Sequence, residues 1–428
     1  MLRFNRQTKS KREIMMSHDY SILSLFEITD GNINVQSVSK IKTTHSQHVH
    51  VINASLTYDR SRCSHCGKSA LIKNGFRLSK IRLPTINGGN YELHLRRQRF
   101  YCKKCHHTQS ASTNIVVANQ TFSRQLKHTV MELLRESLPA TTIAKLCGIS
   151  PSSVIRILQN DVHLPNALKE LPPHLCFDEF RSADKLMSFN CCDSVSHKRV
   201  ALIFSRLSKD ITEHFINRYS LSQRQKVETV VIDMNAEYAS FIKQIFPNAV
   251  IIIDRFHIVQ LAGKALDSER LCAIELFKET ERRLYRIGKS QWRLFHLDAK
   301  KVNAEKSHYL KGVNEYMTQQ NAIDLLLQKS PSFSKSYDFY QCVLHALRDE
   351  DPATIAGLID NYQPQGTNMD TVVRTYQKNR AGILNACRYK YSNGPIEGMN
   401  RKIKALKRSC YGFRNIKNFF LRISLIYA

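Results

Sequence analysis

Residues 227–260 read VETVVIDMNAEYASFIKQIFPNAVIIIDRFHIVQ, and this stretch decides the fold class. It contains two short apolar runs, and each is followed at once by an aspartate, Asp233 or Asp254. Unbroken apolar runs of this length are typical of buried strands in a parallel sheet. The residues between them have helical spacing, so the stretch predicts a strand–helix–strand unit of an α/β domain.

Working outward from this stretch, further apolar runs extend the same domain. HLCFDEF (174–180), LMSFNCCD (186–193) and RVALIFS (199–205) read as additional strands. From Phe256 to about Asn385 the apolar spacing is almost entirely helical, and a basic, helix-rich segment closes the chain. The sequence therefore predicts several domains, one of which is an α/β domain.

Acidic residues mark the ends of the predicted strands. Asp178, Asp233 and Asp254 each follow an apolar run, and Glu397 opens a helix after the turn at residues 393–395. Strand-end acids of neighbouring strands converge on one edge of a sheet. Two Mg²⁺ (or Mn²⁺) ions held there could activate a hydroxyl and neutralise a phosphodiester. Any one of these acids could instead be a helix N-cap or a solvated strand end. The presence of the whole set in a basic chain favours a metal-binding role.

The stretch from 17 to 118 has the short alternating runs of small β structure. It carries two CxxC pairs, Cys63 with Cys66 and Cys102 with Cys105. Two such turns can complete a four-thiolate site, so we predict one structural Zn²⁺. Unconnected buried cysteines, or redox chemistry at one pair, are the alternatives.

Residues 119–165 change to helical spacing and contain a predicted helix-turn-helix. Gly148 permits the left-handed end of one helix, and Ser150 followed by Pro151 begins the next. Val154, Ile155 and Leu158 are expected to pack against the first helix. A plain helical hairpin is the alternative to DNA binding. The residues expected to face DNA are Ser152, Ser153 and Arg156.

The charge indicates a polyanionic partner. Lys and Arg number 64 against 36 acids, a formal net charge of +28. This favours nucleic acid, because neutralising phosphates releases counterions. No apolar run approaches the about 20 residues that cross a bilayer. The basic residues 1–16 lack the apolar segment of a signal peptide, so we expect a tail, no membrane association and a cytoplasmic protein.

Basic residues also dominate the chain after Glu397, where no acid follows. With helical spacing they could line a groove for a DNA backbone, whereas a solvated basic face is the alternative. The candidates are Arg401, Lys402, Lys404, Lys407, Arg408, Arg414, Lys417 and Arg422.

The CxxC pairs, the helix-turn-helix, DEF (178–180), DRFHIVQ (254–260) and NGPIEGMNRKIK (393–404) together resemble the ISL-three family of bacterial insertion-sequence transposases. The resemblance covers nearly the whole chain. It implies an RNase H-like DDE core over 172–257 and 389–428, interrupted by a large all-α insertion over 258–388. The acids of that core would be Asp178, Asp233 and Glu397, with Asp254 and His257 supporting the site. The sequence leaves open whether Asp233 or Asp254 is the second metal ligand, and the motif favours Asp233.

This resemblance implies a function. The protein would bind the terminal inverted repeats of its element and catalyse metal-dependent DNA cleavage and strand transfer. Double-stranded DNA, both element ends and target, would be the partner of a homo-oligomer at the bacterial nucleoid. A zinc and helix-turn-helix regulator with an inactive core is one alternative; a stand-alone RNase H-like nuclease is another. Whether Met1 or Met16 is the natural start stays open.

Overall fold

The structure is a computed structural model that describes residues 22–42, 48–164, 168–183, 186–234 and 238–427. It divides into two compact units. The N-terminal unit comprises Met1–Pro165 and Ala405–Ala428, and the core unit comprises Asn166–Lys404. The predicted tail at residues 1–16, and with it the choice between Met1 and Met16, lies outside the described residues.

The N-terminal unit begins with a five-stranded sheet of order β1-β2-β4-β3, in which β5 pairs with β4. The strands are β1 Ile33–Lys42, β2 His48–Leu56, β3 Leu71–Arg82, β4 Asn90–Cys102 and β5 Thr108–Ser110. β2 and β4 run parallel, and the other neighbouring pairs are antiparallel. In β4, fully buried Leu93 and Leu95 alternate with more exposed polar residues, which places one face on the core. Asn87 and Gly88 turn β3 into β4 with φ of 48° and 74°, the turn chemistry typical of these residues.

Three helices follow the sheet: α1 Arg124–Arg135, α2 Ala140–Cys147 and α3 Pro151–Asp161. The predicted end of α2 and the predicted start of α3 are confirmed. Gly148 ends α2 in the left-handed conformation, and the Ser150 side chain accepts a hydrogen bond from the backbone N–H of Ser153 at the start of α3. The predicted packing face of α3 is wrong at one position. Ile157 is buried with Val154 and Leu158, whereas Ile155 is 36% exposed.

The core unit contains a second five-stranded sheet, of order β10-β9-β6-β7-β8. Its strands are β6 His174–Arg181, β7 Met187–Asp193, β8 Arg199–Ile203, β9 Thr229–Ile232 and β10 Val250–Ile253. β6, β7 and β8 are antiparallel neighbours, while β9 is parallel to both β6 and β10. β9 is buried along its whole length, which explains its continuous apolar sequence.

Further helices lie between these strands in the sequence and after them, and the last of them belongs to the N-terminal unit. They are α4 Ser208–Arg218, α5 Leu221–Gln225, α6 Tyr238–Ile245, α7 Arg255–Leu276, α8 Arg282–Ser290, α9 Gln319–Lys329, α10 Pro331–Arg348, α11 Pro352–Asp360, α12 Asn368–Lys378, α13 Arg380–Arg388, α14 Gly394–Ser409 and α15 Ile416–Ile426. Two short 3-10 helices, Trp292–His296 and Ala299–Lys301, lie between α8 and α9. Among the described helices, none combines the length and apolar character needed to span a bilayer.

The segment predicted to be all-helical, 258–388, is mostly but not entirely helical. His308–Leu310 (β11) pairs antiparallel with Glu315–Met317 (β12). Gly312 and Asn314 make the connecting turn possible because both have positive φ, 88° and 64°. A hairpin of three-residue strands has too short an alternation to stand out against helical spacing, which is why the sequence pattern did not reveal it.

The C-terminal segment is divided between the two units, although 389–428 was predicted as one part of the core. Leu421 and Leu425 of α15 belong to the apolar core formed by α1, α2 and α3. Arg422, 2% exposed, donates hydrogen bonds to the carbonyl oxygens of Glu136 (2.8 Å) and Leu138 (3.0 Å), just after α1. This arginine therefore stabilises the end of a helix and is not available to line a DNA groove.

We predict that Gly148→Ala destabilises the protein by about 1–3 kcal/mol, because an L side chain is strained at its φ of 62°. An added Cβ would also lie 1.9 Å from the side-chain oxygen of Asn90, which would have to move. Urea unfolding of the full chain measures the change. Gly357→Ala is the control, since its Cβ would meet nothing closer than 3.9 Å in α11 and should be neutral or stabilising. Equal stability of both variants would contradict this account.

Candidate functional site

The register of three neighbouring strands brings three aspartates to one level of the core sheet. Cys176 of β6 pairs with Val231 of β9, and each lies two residues before an aspartate, Asp178 or Asp233. Ile232 of β9 pairs with Ile253 of β10, and the next residues are Asp233 and Asp254. Because these strands are parallel, equal steps along them end at the same height.

Asp178 differs in one respect from the expectation that it ends a strand. It lies within β6, opposite Asn190 of β7, and the strand continues to Arg181. The difference arises because β7 pairs with the last residues of β6, whereas β9 pairs with β6 over His174–Cys176. The carboxylate is half-buried at this position, which strengthens its interactions with neighbouring charges.

Hydrogen bonds fix the Asp178 carboxylate. The side-chain amide of Asn400 in α14 donates to its Oδ2 at 2.7 Å, and the backbone N–H of Glu179 donates to its Oδ1 at 2.7 Å. Asn190 in turn donates to the side-chain oxygen of Asn400 at 3.1 Å. The side-chain amide of Asn400 is thus oriented with its N–H toward Asp178. This hydrogen bond favours the charged form of the Asp178 carboxylate.

The pKa of Asp178 is set by burial and by the charges and hydrogen bonds around its carboxylate. Burial, together with the nearby negative charge of Asp233, raises the pKa of Asp178 to about 6. The hydrogen bonds from Glu179 and Asn400, and the proximity of His257, act in the opposite direction. Two half-buried carboxylates that repel each other favour the binding of either a proton or a metal ion.

Glu397 of α14 lies beside His257 and Asp254. Its Oε1 lies 3.9 Å from Nε2 of His257, and ligand atoms of Asp254, His257 and Glu397 all lie within 4.8 Å of one another. Asp254, 3% exposed, also accepts a hydrogen bond from the backbone N–H of Asn393 at 3.0 Å. The side chain of Asn393 donates to the carbonyl of Phe177 at 3.2 Å, so the start of α14 is tied to β6 beside Asp178.

The donor set fits hard divalent cations. Carboxylate oxygens from Asp178, Asp233, Asp254 and Glu397 are the ligands that Mg²⁺ and Mn²⁺ prefer, and His257 adds one nitrogen. The three atoms of Asp254, His257 and Glu397 already lie at a spacing that one ion could bridge. Among the described residues the group at this spacing consists of Asp254, His257 and Glu397, and Asp178 and Asp233 are not part of it.

The four cysteines of the N-terminal unit come together as predicted. Sγ of Cys63 lies 3.6 Å from that of Cys105, and Sγ of Cys66 lies 3.7 Å from that of Cys102. Four sulfurs in a tetrahedron with a Zn–S distance of about 2.3 Å are separated by about 3.8 Å. The distances fit a zinc ion, and no metal–ligand position is left open in a four-thiolate site.

Two matching turns build this centre. The N–H of Gly67 (φ 71°) donates to the Cys63 carbonyl at 2.9 Å, and the N–H of His106 (φ 58°) donates to that of Cys102 at 2.9 Å. The backbone N–H of Cys105 is the main cause that lowers the pKa of the Cys102 thiol to about 6. The backbone N–H of Cys66 likewise lowers the pKa of the Cys63 thiol. Backbone donors therefore favour the thiolate forms that bind metal.

The helix-turn-helix presents fewer residues than predicted. Ser152 and Arg156 are exposed on α3, as the sequence predicts. Ser153 is not, since it is 8% exposed and its hydroxyl lies 2.9 Å from that of the N-cap Ser150. A guanidinium nitrogen of Arg156 lies 3.3 Å from the Ser153 hydroxyl. Ser153 is therefore part of the helix start and positions Arg156 rather than facing DNA directly.

The basic residues of α14 lie opposite its apolar side. Ile396, Met399, Ile403 and Leu406 are buried, with spacing that keeps them on one face of the helix. The predicted basic residues that are exposed are Arg401, Lys402, Lys404 and Arg408, and Lys407 is partly exposed. Arg401 also lies 3.4 Å from Glu397, at i, i+4 spacing.

Comparison with known families gives three consecutive matches. Residues 59–105 match the zinc-finger of transposases IS204/IS1001/IS1096/IS1165. Residues 111–162 match the helix-turn-helix domain of transposase family ISL3, and residues 175–423 match the transposase model of ISL3.

The chain belongs to the ISL3 transposase family. The resemblance predicted from the sequence is thereby confirmed, as is the order of zinc ribbon, helix-turn-helix and transposase domain.

Two relatives illustrate how far the similarity extends. This ISL3 chain is 22% identical over 375 residues, 84% of its length, to the transposase for insertion sequence element IS1001 of Bordetella parapertussis, of which it covers 87%. Over 123 residues, 29% of its length, it is 37% identical to a Lactococcus lactis subsp. lactis protein named ATP-dependent protease. The chain spans 40% of that relative, and a match of this extent carries no argument about activity.

Sequence reasoning missed the asparagines of the site. Asn393, Glu397 and Asn400 lie at i, i+4 and i+7 within NGPIEGMN, a spacing that places them along one side of a helix. That spacing was a usable signal. What it could not supply was the partner of Asn400, since Asp178 lies 222 positions away.

We predict that Cys102→Ser removes the zinc. Bound metal should fall from about one ion per chain to near zero, because three thiolates with one neutral hydroxyl hold Zn²⁺ poorly. Elemental analysis of the purified full chain measures it. The control is Cys272→Ser, an exposed cysteine outside the cluster, which should keep the wild-type zinc content. Full zinc in Cys102→Ser would disprove the four-thiolate assignment.

Proposed function

We propose that this chain is a DDE transposase that binds the terminal inverted repeats of an insertion sequence and catalyses metal-dependent strand cleavage and strand transfer. The observation that carries the proposal is the register that sets Asp178 and Asp233 at one level of the core sheet. The group formed by Asp254, His257 and Glu397 adds to it. Membership of a transposase family supports the same chemistry.

We propose an RNase H-like topology for the core sheet. Three antiparallel strands in chain order (β6, β7, β8) are followed by two strands parallel to the first. The helical segment between α7 and α13 then stands as an insertion before the helix that carries Glu397. This arrangement supports the core and insertion that the family resemblance implies.

Each proposed catalytic residue has a defined task. Asp178, Asp233 and Glu397 would hold two Mg²⁺ or Mn²⁺ ions. Bound there, the ions would activate the attacking hydroxyl and neutralise the attacking and leaving oxygens of the phosphodiester. Asn400 keeps the Asp178 carboxylate oriented, and Asp254 keeps α14 in place through the N–H of Asn393.

DNA binding is divided between surfaces of different character. Ser152 and Arg156 on α3 would contact the element ends, as the second helix of such a motif does in the major groove. Arg401, Lys402, Lys404, Lys407 and Arg408 of α14 would contact the backbone. Because two element ends must be joined to one target, we propose that a homo-oligomer acts on the DNA.

The decisive experiment is strand transfer with purified protein. The reaction contains labelled duplex carrying the ends that flank the gene, a supercoiled plasmid, and Mg²⁺ or Mn²⁺. We expect joined product with wild type. Asn400→Ala should lower it about 10–100-fold, the usual effect of removing a hydrogen-bonding partner of a metal ligand. Asp178→Asn and Glu397→Gln should lower it further.

Glu279→Gln is the matched control for Glu397→Gln, because Glu279 is an exposed glutamate outside the site, and it should retain wild-type product. Tight binding of the ends by wild type, without nicking in either metal, would reject the transposase. It would favour a DNA-binding regulator with an inactive core.

A second prediction distinguishes Asp233 from Asp254 as metal ligand. Saturating Mn²⁺ should stabilise the wild-type core unit by about 2.7 kcal/mol at 100 times Kd, seen as a higher Tm. Asp178→Asn and Asp233→Asn should lose this gain. Asp254→Asn should keep part of it, because an asparagine side chain still offers an oxygen to the N–H of Asn393.

The control for these variants is Asp360→Asn, which removes an exposed partner of Arg380 and should respond to Mn²⁺ as wild type does. The reverse pattern, with stabilisation lost in Asp254→Asn and kept in Asp233→Asn, would make Asp254 the second ligand.

A further inference from the structure

Two arginines lie directly opposite each other in the sheet of the N-terminal unit. Arg77 of β3 and Arg97 of β4 are a cross-strand pair in the antiparallel register. Like charges at such positions destabilise a sheet. Among the described residues, neither guanidinium lies at salt-bridge distance from a carboxylate, so no described acid offsets the repulsion between them.

Both arginines line a groove with a volume of about 560 Å³. The groove lies between β3 and β5 and the stretch from 112 to 121. Among its described lining residues there is no carboxylate, whereas Lys80 adds a third cation. Hydroxyl groups complete the lining, and they belong to Ser79, Thr108, Ser110, Ser112, Thr113 and Thr121.

Arg97 is held in place by the protein. Its Nε donates a hydrogen bond to the carbonyl oxygen of Ala111 at 2.7 Å. Burial lowers the pKa of this guanidinium, and the charge of Arg77 lowers it further. A fixed guanidinium, a second cation opposite and several hydroxyls form the donor set that binds a phosphate group.

A second groove continues from the first. Asn119, Gln120 and Thr121 line both, and the second, of about 300 Å³, also contains Lys127 and Arg156 of the helix-turn-helix. Its one acid among the described lining residues, Asp161, is paired with Lys127 at 2.9 Å. The shared segment is fixed to β3, because the Arg82 N–H donates to the Thr121 carbonyl at 2.8 Å.

We propose that the groove at Arg77 and Arg97 binds backbone phosphates of the same DNA duplex that Arg156 contacts, with Asn119–Thr121 lying along the strand between them. This deepens the proposed function, on which it rests: the zinc-binding sheet positions the duplex, and α3 reads it. Phosphate contacts carry no sequence information, so the groove contributes affinity and register.

The test is the salt dependence of DNA binding by full-length Arg77→Gln. Arg77 is exposed and has none of the hydrogen bonds that hold Arg97, so its loss should leave the fold intact. Unchanged zinc content and Tm check this. Fluorescence anisotropy with the element-end duplex should show about tenfold weaker binding, and a slope of log K against log salt reduced by about 0.9.

Binding of an unrelated duplex should be weakened equally in Arg77→Gln, because backbone phosphates are common to both duplexes. Lys40→Gln on β1, which removes one exposed cation outside both grooves, is the control and should leave binding and slope nearly unchanged. Unchanged affinity and slope in Arg77→Gln would overturn the inference. The inference is also overturned if inorganic phosphate stabilises wild type but not Arg77→Gln while both bind DNA equally, since the groove would then take the free anion.

These results are separable from the fate of the proposed function. If wild type binds DNA with the expected loss in Arg77→Gln but transfers no strands, the transposase activity is rejected and the groove stands. If wild type transfers strands and Arg77→Gln binds DNA normally, only the groove is rejected.

Discussion

Repulsion between the half-buried carboxylates of Asp178 and Asp233 is the constraint on which the core unit depends. Asp178 and Asp233 are brought to one level by the parallel pairing of β6 and β9, where burial already raises the pKa of Asp178. Left to themselves, such groups would separate or take up a proton. The fold holds them by hydrogen bonds from the Glu179 backbone and from Asn400. Asn190 supports Asn400 in turn, so α14 is fixed against β6 and β7 by the same contacts that orient the carboxylate.

The same physical arrangement recurs in the N-terminal unit with other chemistry. Four cysteine sulfurs lie within 4.8 Å of one another, and backbone N–H groups favour the thiolate form of Cys63 and Cys102. Arg77 and Arg97 are a like-charged pair opposite each other. In each place the backbone assembles charges of one sign that an external ion can neutralise. A cluster of this kind is costly alone and becomes favourable when its ligand binds, which couples binding to folding.

The C-terminal helices show how one segment serves two purposes. α14 carries Glu397 and Asn400 near its start and ends at Ser409, and α15 completes the apolar core of the helix-turn-helix with Leu421 and Leu425. Arg422 satisfies carbonyl groups that follow α1. The helix-turn-helix is therefore stabilised by residues from the far end of the chain. Removing α15 would therefore expose the apolar core of the helix-turn-helix.

What the sequence determined by itself was local chemistry. The CxxC spacing, the left-handed Gly148, the Ser150–Pro151 helix start and the apolar runs before Asp233 and Asp254 are encoded within a few residues, so neighbouring positions suffice to predict them. Tertiary structure alone decided the rest. The hydrogen bond from Asn400 to Asp178 joins residues 222 positions apart. The pairing of Arg77 with Arg97 depends on a bulge between Lys73 and Phe76 that shifts the register. Burial of Ile157 in place of Ile155 depends on which surfaces meet α3. Such features follow from which distant elements pack together, and no local periodicity carries that information.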